Sequence, residues 1–180
     1  MHLPYLYKRL QQTFGDEEKF PPIVPILIGD NNLRAEKEVG KILAPYLSDP
    51  ENAFIVSSDF CHWGRRFDYM VYSPAANEAT MTQLPRTARK VDGEPIHETI
   101  KLVDELAMDA IKSGSHDAFY NNIKKTENTV CGRHPIGVMM AAMEEVSEGP
   151  KFQFVQYQRS GLVQEPSDSS VSYGSAYAVV

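Results

Sequence analysis

The sequence predicts an α/β fold in which a mixed sheet is flanked by helices, and three features of its apolar pattern carry that reading. A nearly continuous apolar run, IVPILIG at residues 23–29, is followed by a helical pattern and then by a second run, AFIVSS, that begins at Ala53. Strand, helix and strand at this spacing describe a parallel βαβ unit. Two late segments rich in aromatic and β-branched residues, KFQFVQYQ and VSYGSAYAVV, read as further strands. Stripes of apolar residues at three- and four-residue spacing supply the covering helices.

In order along the chain, Leu3, Leu6, Tyr7, Leu10 and Phe14 predict a first amphipathic helix closed by Gly15. Residues 23–29 suit a strand buried on both faces, with Pro25 moving it to an edge or a bulge because it lacks a ladder donor. Asn31 or Asn32 caps a second helix with Ala35, Val39, Ile42, Leu43, Tyr46 and Leu47 on one face, which Pro45 kinks or ends. Between Tyr72 and Pro95 the apolar content falls, and Ser73, Pro74, Asn77, Pro85, Asp92 and Gly93 predict loops around at most a short helix. Ile96, Ile100, Val103, Leu106, Ala107, Ala110 and Ile111 predict a long helix ending at Gly114, with Ser115 capping a short one after it. Pro135 suits the first position of a last helix with Ile136, Met139, Met140, Met143 and Val146 on its stripe and Gly149 as its C-cap. Methionines at that spacing read as core.

The chain has 180 residues, enough for one hydrophobic core, and residues 1–180 are read as one domain. Hydrophobic and charged fractions of 42% and 23% describe a packed protein rather than a disordered one. A formal net charge of -6 argues against broad binding to nucleic acid or anionic membrane, which needs excess Lys and Arg on one face. Cys61 and Cys131 are too few for a disulfide framework, and MHLPYLYKRL does not read as a secretion signal. No stretch approaches the roughly 18 apolar residues of a membrane helix. A reducing cytoplasmic or nuclear setting is therefore expected.

Two clusters can carry chemistry. In SSDFCHWG, residues 57–64, a cleft beyond a strand end would let Asp59, Cys61 and His62 face a ligand, with Asp59 orienting the His62 imidazole for proton transfer. The structural alternative has Asp59 capping a turn and His62 bonded to a backbone carbonyl. In CGRHPIG, residues 131–137, Cys131 and His134 lie at a helix N-terminus, which favours the thiolate that binds metals, and Gly132 permits close backbone approach. A buried structural thiol with His134 as a helix cap is the alternative there. Cys61, His62, Cys131 and His134 would make a Cys₂His₂ zinc set, but adjacent Cys and His are not its usual spacing. Arg65 and Arg66 can hold a phosphate or carboxylate in a planar fork of donors, or stand solvated.

The strings VSSDFCHWGRRF, TVCGRHPIGV and DSSVSYGSAYAVV, in this order, with the opening MHLPY and PIVPILIG, resemble the Memo family along the whole chain. The resemblance implies a fold similar to the class III extradiol dioxygenases (the LigB-like fold), with a metal pocket at one end of the sheet. It implies that Cys131 is a metal ligand for iron or copper and that Asp59 and His62 line the same pocket as its catalytic pair. Arg65, Arg66 and His134 are then candidates for ligand contact. It also implies two further metal-binding histidines upstream of Met1, so the chain is expected to be the N-terminally truncated, C-terminal portion of that domain, with an incomplete metal sphere. Ring cleavage is not expected, because a cysteine stands where the dioxygenases place a carboxylate. The resemblance leaves three functions open: metal-dependent redox chemistry in cell-motility signalling, a non-catalytic adaptor for phosphotyrosine peptides of receptor kinases, and an inactive fragment.

Overall fold

A computed structural model describes residues 2–147 and 151–179. Among these, five α-helices and five strands follow in the order α1 (Leu3–Phe14), α2 (Leu33–Leu47), β1 (His62–Trp63), β2 (Val71–Tyr72), β3 (Thr82–Gln83), α3 (Ile96–Lys112), α4 (His116–Thr126), α5 (Arg133–Val146), β4 (Lys151–Arg159) and β5 (Ser170–Val179). The strands form a three-stranded sheet of order β1-β5-β4 and a separate β2-β3 pair, antiparallel throughout. The alternating aromatic pattern of KFQFVQYQ makes β4, with a bulge between Phe154 and Gln156.

The coarse α/β class holds, but the parallel unit does not form. Residues 20–29 and 53–61 are irregular, and most of their apolar side chains are exposed, Leu27 to 98%. A strand buried on both faces needs a hydrogen-bonded neighbour and a covering layer, and among the described residues none bonds by its backbone to 23–29 or 53–56, whereas Phe60 and Cys61 at the end of the second run bond to Ser172 of β5 and are buried. Burial therefore sits elsewhere. Trp63, Tyr69, Met70, Tyr72, Ile96, Ile100 and Val103 make one core, into which Met81, Leu84 and Val91 of the 72–95 loop pack. Phe60, Ala107, Ile111, Phe119, Val130 and Met140 make the second.

Helix boundaries follow the expected caps with two differences. Asn32 Oδ1 accepts from Ala35 N at 3.0 Å and Ser115 Oγ from Ala118 N, so both predicted caps are formed. Gly15 and Gly114 follow their helices with φ of 73° and 74°. Pro45 does not end α2, which runs on to Leu47. The last helix begins at Arg133, before Pro135, because the missing proline N–H falls among the first donors that no helix satisfies internally. The Gly149 cap lies outside the described residues.

α1 forms as predicted but buries no residue fully. α2 buries a different face from the one its apolar stripe indicates: Glu36, Gly40 and Ala44 are buried, while Ile42 and Tyr46 are exposed. The cause is close packing on α5. A Cβ on Gly40 would stand 2.7 Å from Ala141 Cβ and 2.8 Å from Ala142 N, and one on Gly137 would stand 2.4 Å from Glu36 Oε2. Small residues on both helices let the backbones meet, and Met140 and Met143 fill the other side of α5 as core.

Asp104, fully buried on α3, ties the layers together. Its Oδ1 accepts from Cys61 N at 2.9 Å and Asn128 Nδ2 at 3.2 Å, and its Oδ2 accepts from Tyr157 Oη at 2.8 Å. Burial pushes the carboxyl up from its ordinary range, and the bonds from Ser172, Tyr157, Asn128 and Cys61 oppose that shift.

Two predictions follow from this packing. Gly→Ala inside a helix ordinarily stabilises it by about 1 kcal/mol, but Gly40→Ala and Gly137→Ala should each lower stability by about 1–3 kcal/mol in urea unfolding through overpacking. Gly29→Ala, where nothing lies within 4 Å, should change it by less than about 0.5 kcal/mol. Asp104→Ala orphans the Cys61 N–H and the Tyr157 hydroxyl and should cost on the order of 3 kcal/mol in the same measurement.

Candidate metal centre

The site forms where the irregular 57–61 segment runs past the N-terminal turn of α5. Ser58 Oγ accepts from Gly132 N at 2.9 Å, Asp59 O accepts from Cys131 N at 3.3 Å, and Cys131 Sγ accepts from Asp59 N at 3.1 Å. This approach needs glycine at 132, since a Cβ there would stand 2.4 Å from Ser58 Cβ and 2.6 Å from Ser57 O. Close approach at Gly132 is thus the expectation met.

β1 then brings His62 to the same place. Thr129 Oγ1 accepts from His62 N at 2.7 Å and donates to His62 O at 3.0 Å, which fixes the backbone that carries the ring. Phe67 packs against the imidazole with centroids 5.1 Å apart, and the Arg66 guanidinium lies 4.5 Å over the far ring. Asp59 Oδ2 lies 3.5 Å from His62 Nε2. One ligand atom from each of Asp59, His62 and Cys131 falls within 4.8 Å of the others, the only such set of three among the described residues.

The donor set fits a metal ion. His62 Nε2 is buried and has no hydrogen-bond partner, a state that costs free energy unless something fills it. A thiol, an imidazole and a carboxylate meeting at one point suit a transition metal, with softer ions favoured by the sulfur. Three such donors would leave a coordination position open, as catalytic sites require.

The other sequence candidates separate from this point. Cys61 is completely buried among Trp63 and Tyr69, and burial with the nearby Asp104 carboxylate pushes its thiol well up, so it neither faces the site nor joins a Cys₂His₂ zinc set. Arg65 donates to Ala88 O at 2.6 Å. His134 is engaged by carboxylates, Glu36 at Nδ1 and Asp30 at Nε2, rather than by the Cys131 group.

Several residues that shape this region give only faint signals in the sequence. Asp104 and Glu36 are charged residues on the buried faces of α3 and α2, and an acid within an apolar or small-residue stripe is the signal that exposes them. Thr129 carries no local signal, because its partner His62 is 67 residues away.

Comparison with known proteins shows the family. The family model described as Memo-like protein matches residues 1–177. The chain is 38% identical to Protein MEMO1 of Danio rerio and 37% identical to Protein MEMO1 of Homo sapiens, each over 183 aligned residues covering all of this chain and 54% of the relative. It is 40% identical to a MEMO1 family protein of Schizosaccharomyces pombe over 157 residues, 87% of this chain and 51% of that one. The chain thus spans about half the length of the curated relatives it matches. With the family model covering nearly every residue and the SSDFCHWG and CGRHPIG segments folded against one another, this chain belongs to the Memo family.

Proposed function

We propose that the chain contributes a transition-metal site, for iron or copper, to a Memo-family redox protein. The observation that supports this most is the buried, unpartnered His62 Nε2, which lies within ligand reach of Cys131 Sγ and an Asp59 carboxylate oxygen. A bound ion of this kind supplies one-electron redox chemistry.

The chain's own residues set the conditions for it. Cys131 stands immediately before Gly132, the N-cap of α5, so the backbone that enters the helix places its sulfur. Asp59 donates its backbone N–H to that sulfur, a hydrogen bond that draws electron density from a sulfur ligand. Thr129 and Phe67 hold His62 in place from two sides, so that its lone pair keeps its aim. The Asp59 carboxylate, 3.5 Å from His62 Nε2, would offer the oxygen donor to the same ion.

Titration of the purified chain with Cu²⁺ and Fe²⁺, followed by calorimetry and the thiolate-to-metal absorption band, tests the reading. Stoichiometric binding is expected, tighter for copper than for iron as the general order of divalent affinities requires. Cys131→Ser should abolish the absorption band, and Thr129→Val should weaken binding about tenfold or more by loosening a ligand's support. A Cys131→Ser chain that keeps the band and the affinity would overturn the proposal.

A further inference from the structure

Away from the metal site, two imidazoles share one buried carboxylate. Glu36, 3% exposed on α2, meets His116 Nε2 with Oε2 at 2.7 Å and His134 Nδ1 with Oε1 at 2.6 Å. Each ring meets a second carboxylate with its other nitrogen, His116 Nδ1 at 3.3 Å from Asp117 Oδ1 and His134 Nε2 at 2.8 Å from Asp30 Oδ1.

The arrangement fixes a proton count. A neutral imidazole has one N–H and one lone pair, and an ionised carboxylate only accepts. A ring between two carboxylates is matched to both only when each of its nitrogens carries a proton. Two such rings around Glu36 therefore need two protons beyond those of neutral imidazoles. Moving one of them onto Glu36 leaves the count unchanged.

The surrounding charges allow for this. Lys37 on α2 lies 2.6 Å from Asp117 Oδ1, Arg133 on α5 lies 3.5 Å from Asp30 Oδ1, and Glu144 on α5 accepts from His116 N at 2.7 Å. With both rings charged, four anions (Glu36, Asp30, Asp117 and Glu144) face four cations (His116, His134, Lys37 and Arg133). A cavity of about 250 Å³, lined by Asp30, Glu36, Lys124, Arg133 and His134 among others, opens this cluster to water and gives the protons a route.

We infer that the Glu36 cluster is a proton-dependent latch: two bound protons clamp α2, α4 and α5 together, and their loss frees the first turn of α5, which carries His134 three residues after Cys131. Deprotonating either ring turns one of its two carboxylate contacts from a bond into a repulsion. The affected junctions are where α2 touches α5 through Glu36 and Gly137, and where α4 begins at His116.

The direction of the pH effect follows. Burial alone would push His116 down, but its bonds to Glu36 and Asp117 and the attraction of Glu36 outweigh that and hold it above the ordinary imidazole range. An imidazole raised on folding contributes stability that is fully present below its unfolded value, near 6.5, and is lost as pH rises through the folded value. The latch is thus closed on the acid side and opens toward alkaline pH.

Urea unfolding of the metal-free chain, in chelator, between pH 6.5 and 8.5 tests this separately from the metal site. The wild-type unfolding constant should rise with pH, by up to about tenfold per unit for each proton released. That rise should shrink in Glu36→Gln and in His116→Gln. Amide exchange at residues 136–138, corrected for intrinsic rate, should lose protection over the same range. A flat wild-type profile, an undiminished slope in both variants, or unchanged protection at the start of α5 overturns the inference. Should both variants fail to fold, the ring resonances of His116 in the wild-type chain decide it: a midpoint above the ordinary imidazole value, near 6.5, supports the latch, and one at or below it overturns it.

Discussion

The carboxylate of Asp104 is the point on which the rest of the structure hangs, because four separate parts of the chain spend a donor on it. Cys61 just before β1, Asn128 after α4, and Tyr157 on β4 all bond to it, and Ser172 on β5 adds to its shell. None of these groups is close to another in sequence. A buried anion is unfavourable until its acceptor sites are filled, so the helix that carries Asp104 can dock only when strand, loop and β1 lead-in are in register. The same bonds set the position of residues 59–62, and through them the spacing of Asp59 and His62 from Cys131.

Reading the sequence alone recovers those parts of the fold whose cause is local. Helical stripes, the Asn32 and Ser115 caps, the glycine stops at 15 and 114, and the aromatic-rich strands β4 and β5 all rest on interactions within a few residues. The two apolar runs at 23–29 and 53–58 do not become strands for a physical reason: an apolar run says that a segment prefers burial, while a strand also needs a partner with matching donors and acceptors. α2 shows the same limit in another form. Its most apolar stripe is exposed at Ile42 and Tyr46, because backbone proximity at Gly40 and Gly137 fixes which face turns inward.

The candidate site was half legible. SSDFCHWG and CGRHPIG announce their reactive residues, and Asp59, His62 and Cys131 do converge. Which members of those strings would turn away could not be read from spacing. Cys61, just before β1, alternates with His62 and so enters the core with Trp63, as the period of an extended chain requires. His134 sits one turn beyond Cys131 and is claimed by Glu36, a partner 98 positions earlier. Long-range acids decide both outcomes, Asp104 beside Cys61 and Glu36 beside His134.

The opposite fates of the two cysteines also give the molecule a built-in gauge. Cys131 is exposed, whereas Cys61 lies sealed in the core, where burial pushes its thiol well up. Because alkylating reagents attack the thiolate, the folded chain offers one fast-reacting sulfur and the unfolded chain two. Mass labelling that counts modified thiols therefore reports the fraction of intact molecules in any preparation, and a metal held at Cys131 would lower the count in the folded state to zero.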